Sequence, residues 1–440
     1  MKKNYDLIGI GIGPFNLSLS ALLTKTNHFQ YQFYERNKNI NWHSGMLLKN
    51  SILQVSYLKD LVTLVDPTNP WSFLAYLSHC GHIYQFLNRK SSIVSRIEYE
   101  RYYQWAARTL PNLSFEKEVY SIDYLPRQKK FSLKLNNEEV CSKHLSIGVG
   151  HAPHIPEMFS HYLSSRVFHA SLYKQSISSL DLFNKNVIVI GGGQSGAEII
   201  HDLLDKQGTL GSLTWVSRRL NFLPMEDACF TNEFYTPSYV NYFFELSDIA
   251  KKNNLKQQKI SCNGISEALA NDVYRKIYTA KYVECSPTLI RLYPNHSIKR
   301  VESVNSNYKV QIYSNDTQSR QALSADIVIL ATGYNERIPG CLSSFVDRYK
   351  DRNDPTLRFN KDYSLRWQHQ ATNKIFFQNF NLQSHGISDP NLSLAAWRNA
   401  TIINSLLGKS IYYLKQYSLF EHVENRYNAR NSDSNMTSCN

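Results

Sequence analysis

Tyr5-Asp6-Leu7-Ile8-Gly9-Ile10-Gly11-Ile12-Gly13-Pro14 opens the chain, and its theme returns as Asn186-Val187-Ile188-Val189-Ile190-Gly191-Gly192-Gly193-Gln194-Ser195-Gly196. In each, a short apolar strand enters a glycine turn and leaves as a helix-like run, Asn16 to Leu23 and Ala197 to Leu204. Unpaired N–H groups and a partial positive charge make a helix start a site for pyrophosphate, and glycine lets the backbone approach it. Gly191, Gly193 and Gly196 match G-x-G-x-x-G in full. In the first loop Gly9 and Gly11 match, with Gly13 beside them and Pro14 in the third glycine's place, which is acceptable in a helix's first turn. One such turn is weak evidence; two, each between strand and helix, predict an α/β protein with two Rossmann-like dinucleotide-binding domains.

The residues after each turn suggest its nucleotide. Tyr31-Gln32-Phe33-Tyr34 ends at Glu35, whose carboxylate suits ribose hydroxyls, as in FAD or NAD sites. Leu213-Thr214-Trp215-Val216-Ser217 ends instead at Arg218 and Arg219, which suit a 2′-phosphate. FAD is therefore expected first and NADPH second. Ala325 to Gly333 is nearly continuous in apolar residues, as in a parallel strand buried on both faces. From Met225 to Ile277 the pattern is aromatic and helical. The expected division is a first FAD part at 1–175, an NADPH domain at 176–324 with a mainly helical substrate insert at about 225–280, a second FAD part at 325–430, and a disordered tail at 431–440.

Lysine and arginine number 49 against 36 acids, a net charge of +13. The basic residues are scattered and form no nucleic-acid module, so no nucleic-acid partner is expected. The seven cysteines are never closer than 23 residues, which excludes a local C-x-x-C pair and argues against a secreted disulfide framework. The basic, apolar N-terminus imitates a signal peptide, but Asp6, Pro14 and Asn16 interrupt it and no cleavage site follows. No stretch has the length of a membrane span. A cytoplasmic location with reduced thiols is expected, without a metal site.

Further segments carry a resemblance. Gly11-Ile12-Gly13-Pro14-Phe15-Asn16-Leu17, Trp42-His43-Ser44-Gly45-Met46, Leu58-Lys59-Asp60-Leu61-Val62 and Pro67-Thr68-Asn69-Pro70 resemble the N-hydroxylating flavin monooxygenases of siderophore biosynthesis. So do Gly192 to Glu198, Val216 to Arg219, Ala331-Thr332-Gly333-Tyr334, and His385-Gly386-Ile387-Ser388 with Leu392-Ser393-Leu394. The resemblance implies an enzyme that uses FAD, NADPH and O2 to hydroxylate the terminal amine of lysine, ornithine or a decarboxylated amine such as putrescine, cadaverine or histamine. It implies that Lys59 meets a substrate carboxylate, that Asn232 and Asn263 contact the substrate, and that Gln54 lies beside the flavin. Trp42, His43, Gln194, Ser195, Thr332, Gly333, His385 and Gly386 become candidate cofactor contacts, and a dimer or tetramer is in keeping with the family. Aspartate at the positions of Asn232 and Asn263 is more typical of the lysine-specific members.

Such chemistry, through a flavin C4a-hydroperoxide, lets the cofactor do the difficult step, so the protein must position an amine and exclude water. An alkylammonium has a pKa of about 10.4, so its deprotonation at neutral pH costs roughly 4–5 kcal/mol. A buried, electropositive site reduces that cost. Quieter readings stand beside these: Lys59 pairing with Asp60 or Asp66, His43 as a structural histidine, and Asn232 and Asn263 as helix caps. Other functional classes are a disulfide reductase, which lacks its cysteine pair here, another flavin monooxygenase or NADPH oxidase, and a basic nucleotide-sensing protein.

Overall fold

The computed structural model describes residues 3–423 apart from 137, 207, 306, 350–356 and 416. The tail expected at 431–440 lies outside the described residues. Two parallel sheets dominate. The first runs Leu113–Ser114, Tyr31–Tyr34, Lys3–Ile10, Glu139–Ile147, with Ile375–Phe377 on the far side and an antiparallel extension of Lys130–Leu135 and Val119–Leu125. The second runs Leu289–Tyr293, Ser212–Val216, Asn186–Ile190, Ile327–Leu330, Val167–His169, parallel throughout. The two orders correspond strand for strand, so the chain carries the same doubly wound unit twice.

Burial explains the strand composition. Val187, Ile188, Val189, Ile327, Val328, Ile329 and Leu330 are all buried, since helices or a second sheet cover both faces. One cover is the antiparallel meander His296–Val304, Asn307–Ser314 and Arg320–Ala325, whose Val310, Ile312 and Leu323 pack on Ile188 and Val328 in one core. The other is the helix Gln194–Leu204.

Pairing corrects the expected division of the chain. Val167–His169, assigned above to the first part at 1–175, and Ile327–Leu330, assigned to the part at 325–430, both belong to the second sheet. A strand apolar on both faces needs a central place, and Ile327–Leu330 finds it against Asn186–Ile190. The chain therefore leaves the first sheet after Ile147 and returns to it at Ile375.

The glycine register is corrected as well. Gly11 and Gly191 each follow the last strand residue, take positive φ (+85° and +132°), and donate their N–H to Tyr34 and Val216. Gly13 and Gly193 then both stand as N-caps of the following helices, Pro14–Leu23 and Gln194–Leu204. The triad is thus Gly11, Gly13 and Asn16 against Gly191, Gly193 and Gly196, not Gly9, Gly11 and Pro14. Gly9 lies inside the strand, where a Cβ would come within 1.9 Å of Phe33, so its glycine serves packing. Pro14 occupies the first helical turn.

Asn16 reaches the same end as Gly196 by other means. A Cβ on Gly196 would sit 2.0 Å from the Gly191 oxygen, so helix and turn touch directly. Asn16, fully buried, donates Nδ2 to the carbonyls of Gly11 (2.8 Å) and Ile10 (3.2 Å) and accepts Ser146 Oγ at 2.7 Å.

Between the sheets' strands, residues 229–278 form the helices Cys229–Asn232, Pro237–Phe244, Asp248–Gln257, Lys259–Cys262 and Glu267–Tyr278. Thr236 and Ser247 cap two of them through Tyr239 N and Ala250 N. The last buries Val273 and Ile277 in the core shared with Gln194–Leu204, and His201 Nε2 meets Asp272 Oδ2 at 2.5 Å across the pair.

Asn16→Ala should cost about 1–3 kcal/mol, because it strands the Ser146 hydroxyl and takes a donor from the Gly11 carbonyl in the core. Thermal unfolding reads this as a lowered Tm; an unchanged Tm would show that the network holds nothing.

Candidate functional site

Both glycine turns leave their helix starts open. Neither Gly13 nor Gly193 has a side-chain cap, and a Cβ on either would meet only Gly148 O at 3.7 Å or Arg219 Nη2 at 4.0 Å. Strand and helix thus hold free N–H groups toward an anion, with space for one.

The acid and the arginines stand in equivalent places. Glu35 N donates to Ser114 O, and Ser217 N to Tyr293 O, each at 2.9 Å, so Ser217 matches Glu35. Glu35 Oε2 accepts from Ile12 N at 2.9 Å, and Oε1 from Asn37 N and Nδ2. The carboxylate thereby braces the first turn and keeps lone pairs for a further donor. In the second lobe Ser217 Oγ fills the space over Gly192 and accepts from Arg219 N at 3.1 Å. Arg218 is exposed; Arg219 is half-buried, and desolvation lowers its pKa.

A cavity of about 450 Å³ opens beside the second turn. It brings together Gln54, Gly191, Gly193, Gln194, Ser195, Ser217, Arg218, Arg219, Asn263, Thr332 and Gly333, which are scattered through the chain. His169 and His154, which sequence reading did not select, line it too. His169 Nδ1 accepts from Ser171 N at 3.1 Å, so Nε2 donates to Gly333 O at 3.0 Å, holding the Thr332-Gly333 turn. The segment of Trp42 and His43 docks from the first lobe on the turn that follows His169: Gly45 lies so near Ser171 that a Cβ would be 1.9 Å from its oxygen. His43, with φ +52°, sets its ring near Trp42 and Tyr334. His43 is exposed to solvent at the surface, and desolvation by the chain around it, then the charge of Arg96, push its imidazole down to about 4.

Lys59 does not make the surface pairs considered above. Asp60 is buried and taken by the N–H groups of Val62, Thr63 and Phe73, while Asp66 binds Lys25 at 2.6 Å. Lys59 Nζ instead lies 3.4 Å from Ser393 Oγ, and no acid among the described residues is within ion-pair distance. Desolvation lowers its pKa, opposed by the negative charge of Asp227. Asn232 Nδ2 donates to that same Asp227 at 2.9 Å and makes no helix-capping bond. Asn263 follows the helix Lys259–Cys262, its amide against Cys262 Sγ at 3.4 Å. Asp227 and Ser393 therefore join the group; Ser393 stands in the Leu392-Ser393-Leu394 stretch that shares in the resemblance, whereas Asp227, beside Glu226 at the start of the insert, was marked by no motif.

His385 and Gly386 lie away from this cavity. The His385 ring is buried, stacked on Tyr363 at 3.9 Å and bonded to Ser384 Oγ and Lys361 O, and burial holds its pKa down to about 3. Gly386, at φ +83°, packs on Phe243.

Two open helix starts, facing lobes and an electropositive cavity define a two-dinucleotide oxidoreductase. Residues 3–336 match the family model described as L-lysine 6-monooxygenase/L-ornithine 5-monooxygenase. The chain is 36% identical to the L-lysine N6-monooxygenase of Escherichia coli, over 94% of this chain and 97% of that one. It is 32% identical to the putrescine N-hydroxylase of Acinetobacter baumannii, over 93% and 91%. A cadaverine monooxygenase of Erwinia amylovora, solved with FAD, superposes with a TM-score of 0.88 at 28% identity, covering 95% of this chain and 98% of that one. A Kutzneria ornithine N-hydroxylase, solved with reduced FAD, NADP+ and L-ornithine, gives 0.85 at 25%, covering 92% and 99%. The chain belongs to the lysine/ornithine N-monooxygenase family and is a flavin-dependent N-monooxygenase. Among the described residues no helix is long and apolar enough to cross a membrane.

Gly196→Ala should push helix from turn and abolish reduction by NADPH while the protein keeps its flavin colour; normal reduction would show that the close contact is dispensable. Replacing Arg218 and Arg219 together by alanine should raise the KM for NADPH roughly tenfold, about 1.4 kcal/mol, and leave that for NADH nearly unchanged. An unaltered NADPH/NADH preference would remove them from the 2′-phosphate site.

Proposed function

We propose that the amine hydroxylated is the terminal primary amine of a small amino acid of the lysine or ornithine type, with Lys59 receiving its carboxylate. The observation that carries this reading is the half-buried ammonium of Lys59, which the neighbouring acids leave available and which faces Asn232's partner Asp227 and Ser393. A carboxylate would restore the charge balance that burial takes from Lys59. Asn232 and Asn263 would serve the substrate's polar end.

In this reading the first glycine turn, Gly11, Gly13 and Pro14 with Glu35, holds FAD, and Trp42, His43 and Gln54 border its reactive edge. Gly191, Gly193, Ser195, Ser217, Arg218 and Arg219 hold NADPH. Bound together, the two cofactors supply reducing equivalents and activate O2. The chain's own residues orient the amine and keep water out, and the positive field of Lys59 and Arg219 favours the neutral amine over the ammonium. A neutral His43 next to the site neither adds to that field nor offers a proton near pH 7. The cell compartment consistent with such an activity is the cytoplasm, where NADPH is available and the scattered cysteines stay reduced.

Asp227 favours a second reading. Its carboxylate could take the far ammonium of a diamine such as putrescine or cadaverine, in which case Lys59 is only a neighbour. The readings part on lysine, ornithine, putrescine, cadaverine and histamine, scored for hydroxylamine product rather than NADPH loss. Lys59→Ala should lower kcat/KM for an amino acid about a hundredfold or more, the scale of a lost buried charge contact, and change a diamine only slightly. Equal turnover of lysine by wild type and Lys59→Ala would overturn the carboxylate assignment.

A further inference from the structure

Glu198 lies one turn into the helix that starts at the second glycine turn, and its side chain is only 5% exposed. Three parts of the molecule meet on it. Its Oε2 accepts from Arg96 Nη2, which comes from the first lobe. Its Oε1 accepts Gln194 Nε2 at 2.9 Å, from the first residue of the same helix. Gln194 Oε1 in turn accepts the backbone N–H of Ser266 at 2.8 Å, just before the insert helix Glu267–Tyr278.

Local stability does not account for this chain. Arg96 is the first residue of the helix Arg96–Thr109, the end at which the macrodipole disfavours a cation. Its Nε is buried with no hydrogen-bond partner among the described residues. A buried ion pair is seldom more stabilising than apolar side chains of the same size, and in some proteins its role is to specify one arrangement over others. Here the arrangement is directional: because Glu198 occupies the donor end of Gln194, the acceptor end must face Ser266. On the other side, Arg96 N donates to Ser51 O at 2.9 Å, in the segment that leads to Gln54.

We infer that Arg96, Glu198 and Gln194 are positioning residues that dock the nicotinamide-side lobe and the insert on the flavin-side lobe in the geometry in which NADPH reduces FAD. This rests on the FAD and NADPH assignment above. Neither Arg96 nor Glu198 lines the cavity, so their ion pair acts on the approach of the two lobes; Gln194 is the one member of the link on the nucleotide's side.

The test is anaerobic stopped-flow reduction of the purified holoenzyme over a range of NADPH concentrations. Glu198→Gln removes the charge and keeps the shape. It should lower the limiting reduction rate about tenfold or more while the NADPH Kd moves less than roughly threefold, as expected when reacting groups are misplaced rather than unbound. Reduction by dithionite, which needs no docking, should be unchanged. The double variant Arg96→Met/Glu198→Leu replaces the pair by apolar residues of similar size and should fold and show the same loss; it decides the matter if Glu198→Gln does not fold. A limiting rate equal to wild type in the double variant, or in FAD-loaded Glu198→Gln with only its Tm lowered, would overturn the inference. Wild-type holoenzyme that NADPH fails to reduce would instead overturn the cofactor assignment on which it rests.

Discussion

The contact between a helix start and the end of a parallel strand organises this protein. At both turns a glycine with positive φ bends the chain so tightly that a Cβ would strike a backbone oxygen, Gly148 O from Gly11 and Ala331 O from Gly191. That closeness aims unpaired N–H groups out of the sheet's carboxyl edge, the place where doubly wound folds bind ligands. The other strands, the Glu35 and Ser217 positions and the cavity all take their coordinates from these two turns.

The same constraint is met with different chemistry in each lobe. Gly196 lets its helix touch the Gly191 carbonyl, while Trp215 Nε1 donates to that carbonyl at 2.8 Å. Asn16 instead replaces the missing contact by a buried amide network. A buried amide is worth keeping only when all its neighbours are satisfied, so the first turn is bound to Ser146 on the adjacent strand in a way the second is not. One turn closes by direct helix contact with a single indole hydrogen bond, the other through an amide network.

The site between the lobes depends on charges that are far apart in the chain. Lys59 is set near Asp227 and Ser393 because Asp60, its sequence neighbour, turns inward to hold the Phe73 N–H and the Val62-Thr63 turn. Arg96 and Glu198 cross from one lobe to the other. Such groupings explain how a chain without a nucleophile–base pair can still prepare an amine: it shapes an electrostatic environment and leaves bond-making to its cofactors.

The strands, the helices after them, the helical character of residues 229–278 and the order of acid and arginines were all legible from local patterns, because apolar periodicity and glycine turns act over a few residues. The family was legible from motifs for the same reason. The register of the first triad was not: Gly9, Gly11 and Gly13 form an evenly spaced series, and only the hydrogen bond of Gly11 N to Tyr34 shows where the strand stops. The crossing points between lobes were hidden too, since a strand buried on both faces reads alike in either sheet. Asp227 and Arg96 left no local trace, and the motifs that hold Ser393 and Glu198 did not show their partners, because a partner 100 or more residues away is chosen by how the lobes pack. By itself, then, the sequence determined two glycine turns and the acid and arginines that follow them; the tertiary structure decided what stands between them, because contacts across lobes depend on distances that no spacing along the chain records.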